Sequence, residues 1–138
     1  MAYAGDLGPQ EAFELLEKDP DAVLVDVRTS AEWAYVGVPD LAGLGRDVVL
    51  VEWESFPEHA TNPDFVGELR RAGLRPEAPV AFLCRSGVRS KAAAEAVTAA
   101  GWAAAYNISG GFEGPPDGDG HRGNRSGWKA AGLPWRQS

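Results

Sequence analysis

Apolar residues occur along the chain in short runs, separated by segments in which they recur at a longer, helical spacing. Residues 22–27, 79–83 and 104–108 are nearly continuous apolar runs. Such runs are typical of strands that are buried on both faces of a parallel sheet. Residues 47–51 are a further strand candidate. The pattern therefore predicts four strands, or five.

The segments between these runs have the signals of helices. Pro9 suits the first position of a helix, and Ala12, Leu15 and Leu16 follow it as one apolar stripe. Residues 88–100 have small apolar residues along one face and are followed by a glycine, a common helix stop. Shorter helices are predicted at residues 30–33, 63–73 and 128–131.

Strands that alternate with helices at this spacing predict an α/β fold. We expect a mostly parallel central sheet of about four to five strands, flanked by helices on both faces. A chain of 138 residues fits one domain, so residues 1–138 are interpreted as a single domain. Within it, the Gly/Pro-rich segment 114–127 is predicted to be a loop.

Composition limits the partners and the location. The net charge is −7 and the isoelectric point is about 4.8, which argues against a nucleic-acid partner because phosphate contacts need clustered basic residues. No apolar stretch reaches the length of a membrane span, and the first residues lack the basic and apolar regions of a secretion signal. We therefore expect a cytoplasmic protein with no membrane association.

The single cysteine, Cys84, directly follows the apolar run 79–83, and Arg85, Arg89 and Lys91 lie close after it. One cysteine excludes a disulfide within the chain and a cysteine-rich zinc site. An acidic protein thus has a local cationic spot around its only thiol. A buried cysteine that merely packs in the core is the alternative interpretation.

The position of Cys84 favours chemistry. It is predicted at the carboxyl end of a parallel strand, where α/β sheets bind their ligands. A helix begins within a few residues, so the intervening backbone N–H groups can form an anion-binding cradle, and Gly87 permits the backbone turn. Positive charge nearby favours the thiolate, the nucleophilic form of cysteine. The predicted cradle consists of Arg85, Ser86, Gly87, Val88, Arg89 and Ser90.

Several motifs together resemble the single-domain rhodanese-like sulfurtransferase family. They are DVR at residues 26–28 with EW at 32–33, CRSGVRS at 84–90, GGF at 110–112 and GWKAAGLPW at 127–135. DVR alone is weakly specific, whereas the cysteine loop at its distance after DVR is strongly specific. The resemblance covers residues 9–135.

The resemblance implies a persulfide mechanism. Cys84 would take the sulfane sulfur from a thiosulfate-like donor, release sulfite, and pass the sulfur to a thiophilic acceptor such as cyanide or a thiol. The acceptor can also be a protein. The loop amides would stabilise the anionic species, and neither a metal nor an organic cofactor is required.

Two alternatives stay open. One is a cysteine phosphatase or arsenate reductase, because phosphatases on the related fold also use a cysteine loop. Their arginine stands six positions after the cysteine, and a histidine commonly precedes it. Here Arg89 stands five positions after Cys84 and Leu83 precedes it, which favours sulfur. The other alternative is a non-catalytic module that binds a partner protein.

Other polar residues receive a structural interpretation. Asp26 and Arg28 lie at a strand end and are predicted to form a supporting ion pair. His59 and His121 are interpreted as surface or loop residues, since nothing in the sequence brings either to Cys84. Trp53 and Phe56 are candidates for the pocket mouth or for packing. Segment 114–127 is a candidate cover for the pocket entrance.

Overall fold

The computed structural model of the chain describes residues 3–54, 60–115, 117–122 and 126–137. The strands of the main sheet are β1 (Gly5–Leu7), β2 (Val23–Asp26), β4 (Val49–Leu50), β5 (Val80–Leu83) and β6 (Ala105–Ile108). A small second sheet consists of β3 (Val38–Pro39) and β7 (Trp135–Arg136). The helices are α1 (Pro9–Lys18), α2 (Ser30–Tyr35), α3 (Phe65–Arg71) and α4 (Val88–Ala99).

The main sheet has five strands in the order β1-β6-β5-β2-β4, and all of its pairs are parallel. The predicted α/β fold with a mostly parallel sheet is therefore confirmed. The fifth strand is β1, which pairs with β6 in the register Gly5 with Tyr106. Its three residues carry no apolar run, so the pattern that predicted the other strands did not indicate it.

Strand β5 lies at the centre of the sheet and is completely buried. Because side chains alternate between the faces of a strand, Val80 and Phe82 pack with α3 and α4, whereas Ala81 and Leu83 pack with α1. The core thus has two layers, one on each face of the sheet. This burial fixes the end of β5, and with it the position of the residue that follows.

Helix α2 begins where its capping residues meet. The Thr29 hydroxyl accepts a hydrogen bond from the Glu32 N–H at 3.4 Å, and the Glu32 carboxylate accepts one from the Thr29 N–H at 3.2 Å. This reciprocal arrangement satisfies two N–H groups that a helix start otherwise leaves without partners. It also holds Glu32 at the carboxyl edge of the sheet, because Thr29 follows β2 by three residues.

The helix predicted at residues 128–131 does not form. The segment makes turns closed by hydrogen bonds from the Ala131 N–H to the Gly127 carbonyl and from the Gly132 N–H to the Lys129 carbonyl, each 3.0 Å. Glycines on either side, both with positive φ, stop a helix from extending. Trp128 is completely buried, and its indole N–H donates to the Pro134 carbonyl at 2.7 Å.

Within the described ranges, no helix combines the length and the apolar character that crossing a membrane would require.

Candidate active site

Cys84 follows the last residue of the central strand β5, and three residues separate it from helix α4. Its side chain is almost completely buried, at 1% exposure. We call residues 84–90 the cysteine loop. The sequence prediction placed Cys84 at the carboxyl end of a parallel strand beside a helix start, and the structure has it there.

Two carbonyls of the cysteine loop accept hydrogen bonds from the segment after β6. The Cys84 carbonyl accepts a hydrogen bond from the Phe112 N–H at 2.8 Å. The Arg85 carbonyl accepts from the N–H groups of Glu113 and Gly114 at 3.0 and 3.1 Å. The carbonyls of Cys84 and Arg85 are thus hydrogen-bonded to the segment after β6, and the N–H groups of the loop do not take part in these bonds.

The N–H groups of the loop are available to an anion. The Gly87 N–H donates to the Cys84 Sγ at 3.1 Å. Within the described part of the chain, the N–H groups of Arg85, Ser86, Val88 and Arg89 have no acceptor. They stand at the N-terminus of the 12-residue helix α4, where the helix dipole adds a partial positive charge. Such a group of donors suits a thiolate or a small oxyanion.

Two glycines make this loop possible. Gly87 has a φ of 111°, a left-handed conformation that side chains disfavour. Gly111 lies so close to the loop that a Cβ atom there would be 2.5 Å from the Cys84 carbonyl oxygen and 2.6 Å from the Arg85 carbonyl carbon. The GGF motif at residues 110–112 therefore serves the cysteine loop by close backbone approach.

A line of hydrogen bonds leads from the sulfur to the first strand. Ser90 Oγ lies 3.2 Å from the Cys84 Sγ and donates to the Asn107 Oδ1 at 2.5 Å. The Asn107 Nδ2 donates to the Asp6 Oδ1 at 2.9 Å. Ser90 and Asn107 are buried, whereas Asp6 is exposed. We call these four residues the Asp6–Cys84 chain.

The Arg89 side chain forms an ion pair with the carboxylate of Glu32, which also lines the cleft. Its Nη1 and Nη2 donate to the two carboxylate oxygens of Glu32 at 2.7 and 2.9 Å. Burial raises the pKa of Glu32, but the Arg89 hydrogen bonds and charge and the bonds from Thr29 outweigh it, so the pKa lies below its ordinary value. The Glu32 hydrogen bond is the main cause that raises the pKa of Arg89.

Asp26 and Arg28 form a second pair, completely buried beneath the site. Arg28 Nε and Nη2 donate to the Asp26 carboxylate, and Nη2 also donates to the Gly37 carbonyl at 2.6 Å. The Arg28 guanidinium lies over the Phe112 ring, 4.3 Å from its centroid. The pair thus connects the end of β2 to α2 and to the segment that supports the cysteine loop.

The cysteine loop opens into a cleft of about 660 Å³, which is large enough for thiosulfate together with water. Three arginines and three glutamates line it, so the wall carries balanced charge. The residues that line the cleft are Thr29, Ala31, Glu32, Val36, Glu54, Cys84, Arg85, Ser86, Val88, Arg89, Glu113 and Arg122.

The sequence suggested segment 114–127, Trp53 and Phe56 as candidates for the pocket entrance, and it indicated no role at Cys84 for the two histidines. Arg122 brings the predicted loop 114–127 to the cleft, and its Nη1 donates to the Gly114 carbonyl at 2.7 Å. Residues 116 and 123–125 of that loop lie outside the described residues, as do Phe56 and His59. His121 is exposed and does not line the cleft. Trp53 packs edge-on against Phe65, with ring centroids 5.1 Å apart.

Sequence reasoning missed three residues that contact the site. Glu32 was noted only as a helix residue and a motif member, although its carboxylate accepts hydrogen bonds from both terminal nitrogens of Arg89. Asn107 and Asp6 were not predicted at all. Asn107 carried a signal, since it is a polar residue inside an otherwise apolar strand. A buried polar residue in a strand requires a partner, which can mark a site.

The chain is similar to known proteins in sequence and in fold. Rhodanese-like domain-containing protein 4 of Arabidopsis thaliana, a chloroplastic protein, is 29% identical over 127 residues, which cover 91% of this chain and 24% of that protein. The family model described as the STR4 middle domain matches residues 5–138. The crystal structure of Rv0390 from M. tuberculosis has a TM-score of 0.91 and 55% identity, and the match covers 99% of this chain and 100% of that chain. An uncharacterized protein of Rickettsia conorii is 38% identical over 127 residues, 91% of this chain and 92% of the relative.

A more distant relative has a named activity. The thiosulfate sulfurtransferase GlpE of Actinobacillus pleuropneumoniae is 26% identical to this chain over 129 residues, which cover 94% of this chain and 90% of that protein.

Proposed function

The chain belongs to the rhodanese-like family, and from this premise we propose that it is a sulfurtransferase in which Cys84 carries the transferred sulfur as a persulfide. The substrate class is a small anion with a sulfane sulfur, such as thiosulfate. The acceptor is cyanide, a small thiol or a protein thiol. The proposal treats residues 1–138 as one catalytic domain, at work in the cytoplasm.

One observation carries the proposal, namely the position of the Cys84 sulfur in a group of unused N–H donors at a helix start. The Gly87 N–H already reaches the Sγ at 3.1 Å, and the residues that carry the neighbouring donors line the same cleft. These groups favour an anion on the sulfur or one atom beyond it. A thiolate, a bound thiosulfate and a persulfide all place negative charge in that region.

The proposed reaction has two displacements on sulfur. The Cys84 thiolate attacks the sulfane sulfur of thiosulfate, a new S–S bond forms, and the original S–S bond breaks as sulfite leaves with its electron pair. Cyanide then attacks the outer sulfur of the persulfide, the Cys84–sulfur bond breaks, and thiocyanate leaves. The thiolate is regenerated, so no external oxidant or reductant is consumed.

The environment of Arg89 favours sulfur over phosphate. In a phosphatase loop the arginine must offer its guanidinium to the substrate, since phosphate is bound by paired donors. Here both terminal nitrogens of Arg89 bind Glu32. Two of the five Arg89 N–H donors are thereby taken, and the donor that reaches the sulfur is the Gly87 backbone N–H, at 3.1 Å, which can also bind the terminal sulfur of a persulfide.

Intact-mass measurement after incubation with thiosulfate tests the proposal. The protein should gain about 32 Da, one sulfur atom, as expected for persulfidation. Cys84→Ser, a variant of nearly unchanged size, should show no gain. Cyanide should remove the added mass and yield thiocyanate. Because Cys84 is the only cysteine, the adduct has one possible thiol site.

Absence of both the adduct and thiocyanate would overturn the proposal. Turnover of a phosphate monoester without sulfur transfer would instead support the phosphatase alternative. A folded protein that shows neither sulfur transfer nor phosphatase activity would support the non-catalytic binding module.

A further inference from the structure

The Asp6–Cys84 chain has a direction that its chemistry dictates. A carboxylate only accepts hydrogen bonds, so the Asn107 amide must present its NH₂ group to Asp6, as the 2.9 Å contact from Nδ2 has it. The Asn107 Oδ1 then faces Ser90, and an amide oxygen also only accepts. The Ser90 hydroxyl must therefore donate to Asn107, across 2.5 Å.

This direction determines the hydrogen bond at the sulfur. A hydroxyl has one proton, so Ser90 has only a lone pair left for the Cys84 Sγ, 3.2 Å away. The thiol form suits this arrangement because S–H can donate to Ser90 Oγ. The thiolate does not, since a sulfur anion would then face an oxygen lone pair.

Asp6 is the residue that sets the direction. The Tyr3 hydroxyl donates to the same Oδ1 at 2.7 Å. The hydrogen bond from Tyr3 is the main cause that lowers the pKa of Asp6, the bond from Asn107 adds to it, and the Lys91 charge acts the same way. The carboxylate is therefore ionised at neutral pH and remains an acceptor.

We propose that Asp6 is a positioning residue that, through Asn107, keeps the proton of Ser90 turned away from Cys84. Forming the thiolate then requires the S–H bond to break, with its proton released to water in the cleft, and the Ser90 hydroxyl to turn from Asn107 to Sγ. The Gly87 N–H favours the thiolate and the Asp6–Cys84 chain opposes it. The inference rests on the proposed function only in taking the Cys84 thiolate as the nucleophile.

Alkylation by iodoacetamide at about pH 7 tests this inference, because the reagent attacks the thiolate and Cys84 is the only cysteine. In Asp6→Asn, the new amide can donate to Asn107, whose own amide can turn over and present NH₂ to Ser90. The Ser90 hydroxyl is then free to donate to the sulfur. We expect alkylation to accelerate about tenfold, the effect of gaining one hydrogen bond to a charged group.

Two further variants separate this mechanism from others. Tyr3→Phe removes a hydrogen bond to Asp6 but leaves the carboxylate an acceptor, so alkylation should stay within about twofold of the wild-type rate. Ser90→Ala removes the hydroxyl, and in that background Asp6→Asn should have no further effect. An equal acceleration with and without Ser90 would mean that the lost negative charge acts directly, and would overturn the proposal.

Asn107→Leu gives an independent test, because it disconnects Asp6 from Ser90 with a side chain of similar size. It should accelerate alkylation as Asp6→Asn does, provided that circular dichroism shows a folded protein. A wild-type rate in the folded Asp6→Asn or Asn107→Leu variant would overturn the proposal. Alkylation needs no sulfur donor, so failure of the persulfide experiment would leave this test intact.

Discussion

Arg89 and Glu32 stand 57 residues apart in the chain and form an ion pair with two hydrogen bonds at the cleft that holds Cys84. The pair neutralises a cation that would otherwise face an anionic donor. Substitution of either partner changes the charge of the cleft by one unit and leaves the cysteine itself in place. The two partners should therefore have opposite effects on donor binding.

For the sulfurtransfer reaction, Glu32→Gln should lower the KM for thiosulfate and Arg89→Ala should raise it. We expect about threefold in each direction, the scale of a partly exposed charge interaction. Steady-state kinetics at low salt would measure the effect. Both shifts should shrink as the ionic strength rises, because salt screens exposed charges. A change in kcat with unchanged KM would contradict this account.

Glu32 should also affect stability in acid. Its pKa in the folded protein is below the ordinary value of 4.5, so the charged carboxylate stabilises the fold above that pH. The contribution is lost as pH falls from the unfolded-state pKa through the lower folded-state pKa. Urea unfolding between about pH 5 and pH 3 should show a smaller loss of unfolding free energy in Glu32→Gln, by less than about 1 kcal/mol.

The control for the acid experiment is Glu17→Gln, at an exposed position on α1. This variant removes one carboxylate and leaves the contact between Arg89 and Glu32 in place. If both variants change the slope equally, the Arg89 contact is not the cause.

Gly111→Ala should distort the cysteine loop. The new Cβ would meet the backbone of Cys84 and Arg85 at 2.5–2.6 Å. Gly45→Ala is the matched control, since its φ of 70° is close to the 62° of Gly111 and nothing lies within 4 Å of its Cβ position. We expect a loss of about 1–2 kcal/mol in unfolding free energy from the left-handed backbone in both, and about 1–3 kcal/mol more in Gly111→Ala from overpacking.

The Gly111→Ala variant should also form less persulfide at equal thiosulfate, whereas Gly45→Ala should match the wild type. Equal thermal stability and equal persulfide formation in both variants would show that the loop tolerates the added methyl group.

Asp26→Ala should be strongly destabilising, because it leaves the Arg28 guanidinium buried without its carboxylate. Breaking one side of a buried ion pair costs about 3–5 kcal/mol. Asp21→Ala removes an exposed partner of Arg75, 3.4 Å away, and should cost less than about 1 kcal/mol. Chemical denaturation of the two variants measures the difference, and similar losses would contradict a supporting role for the buried pair.

The features that the sequence predicted well are formed by residues that are neighbours in the chain. The apolar run before Cys84, the glycine at position 87 and the helical pattern after it are contiguous, so they define the strand end and the helix start without knowledge of the rest. The contacts of Asp6 and Glu32 depend on strand order. Periodicity does not determine that order, and Asp6 reaches Asn107 across 101 residues of chain only because β1 pairs with β6.

The pairing of β1 with β6 has a consequence for biosynthesis. Its register joins Gly5 to Tyr106, so in the described sheet β1 has no partner until the later strand β6 has been made. Contacts of such long sequence separation form late, because loop closure costs entropy before the contact compensates for it. Asp6 belongs to β1, so its hydrogen bond to Asn107 forms only when β1 pairs with β6. The reactivity of Cys84 is therefore expected to change during folding, when β1 joins β6.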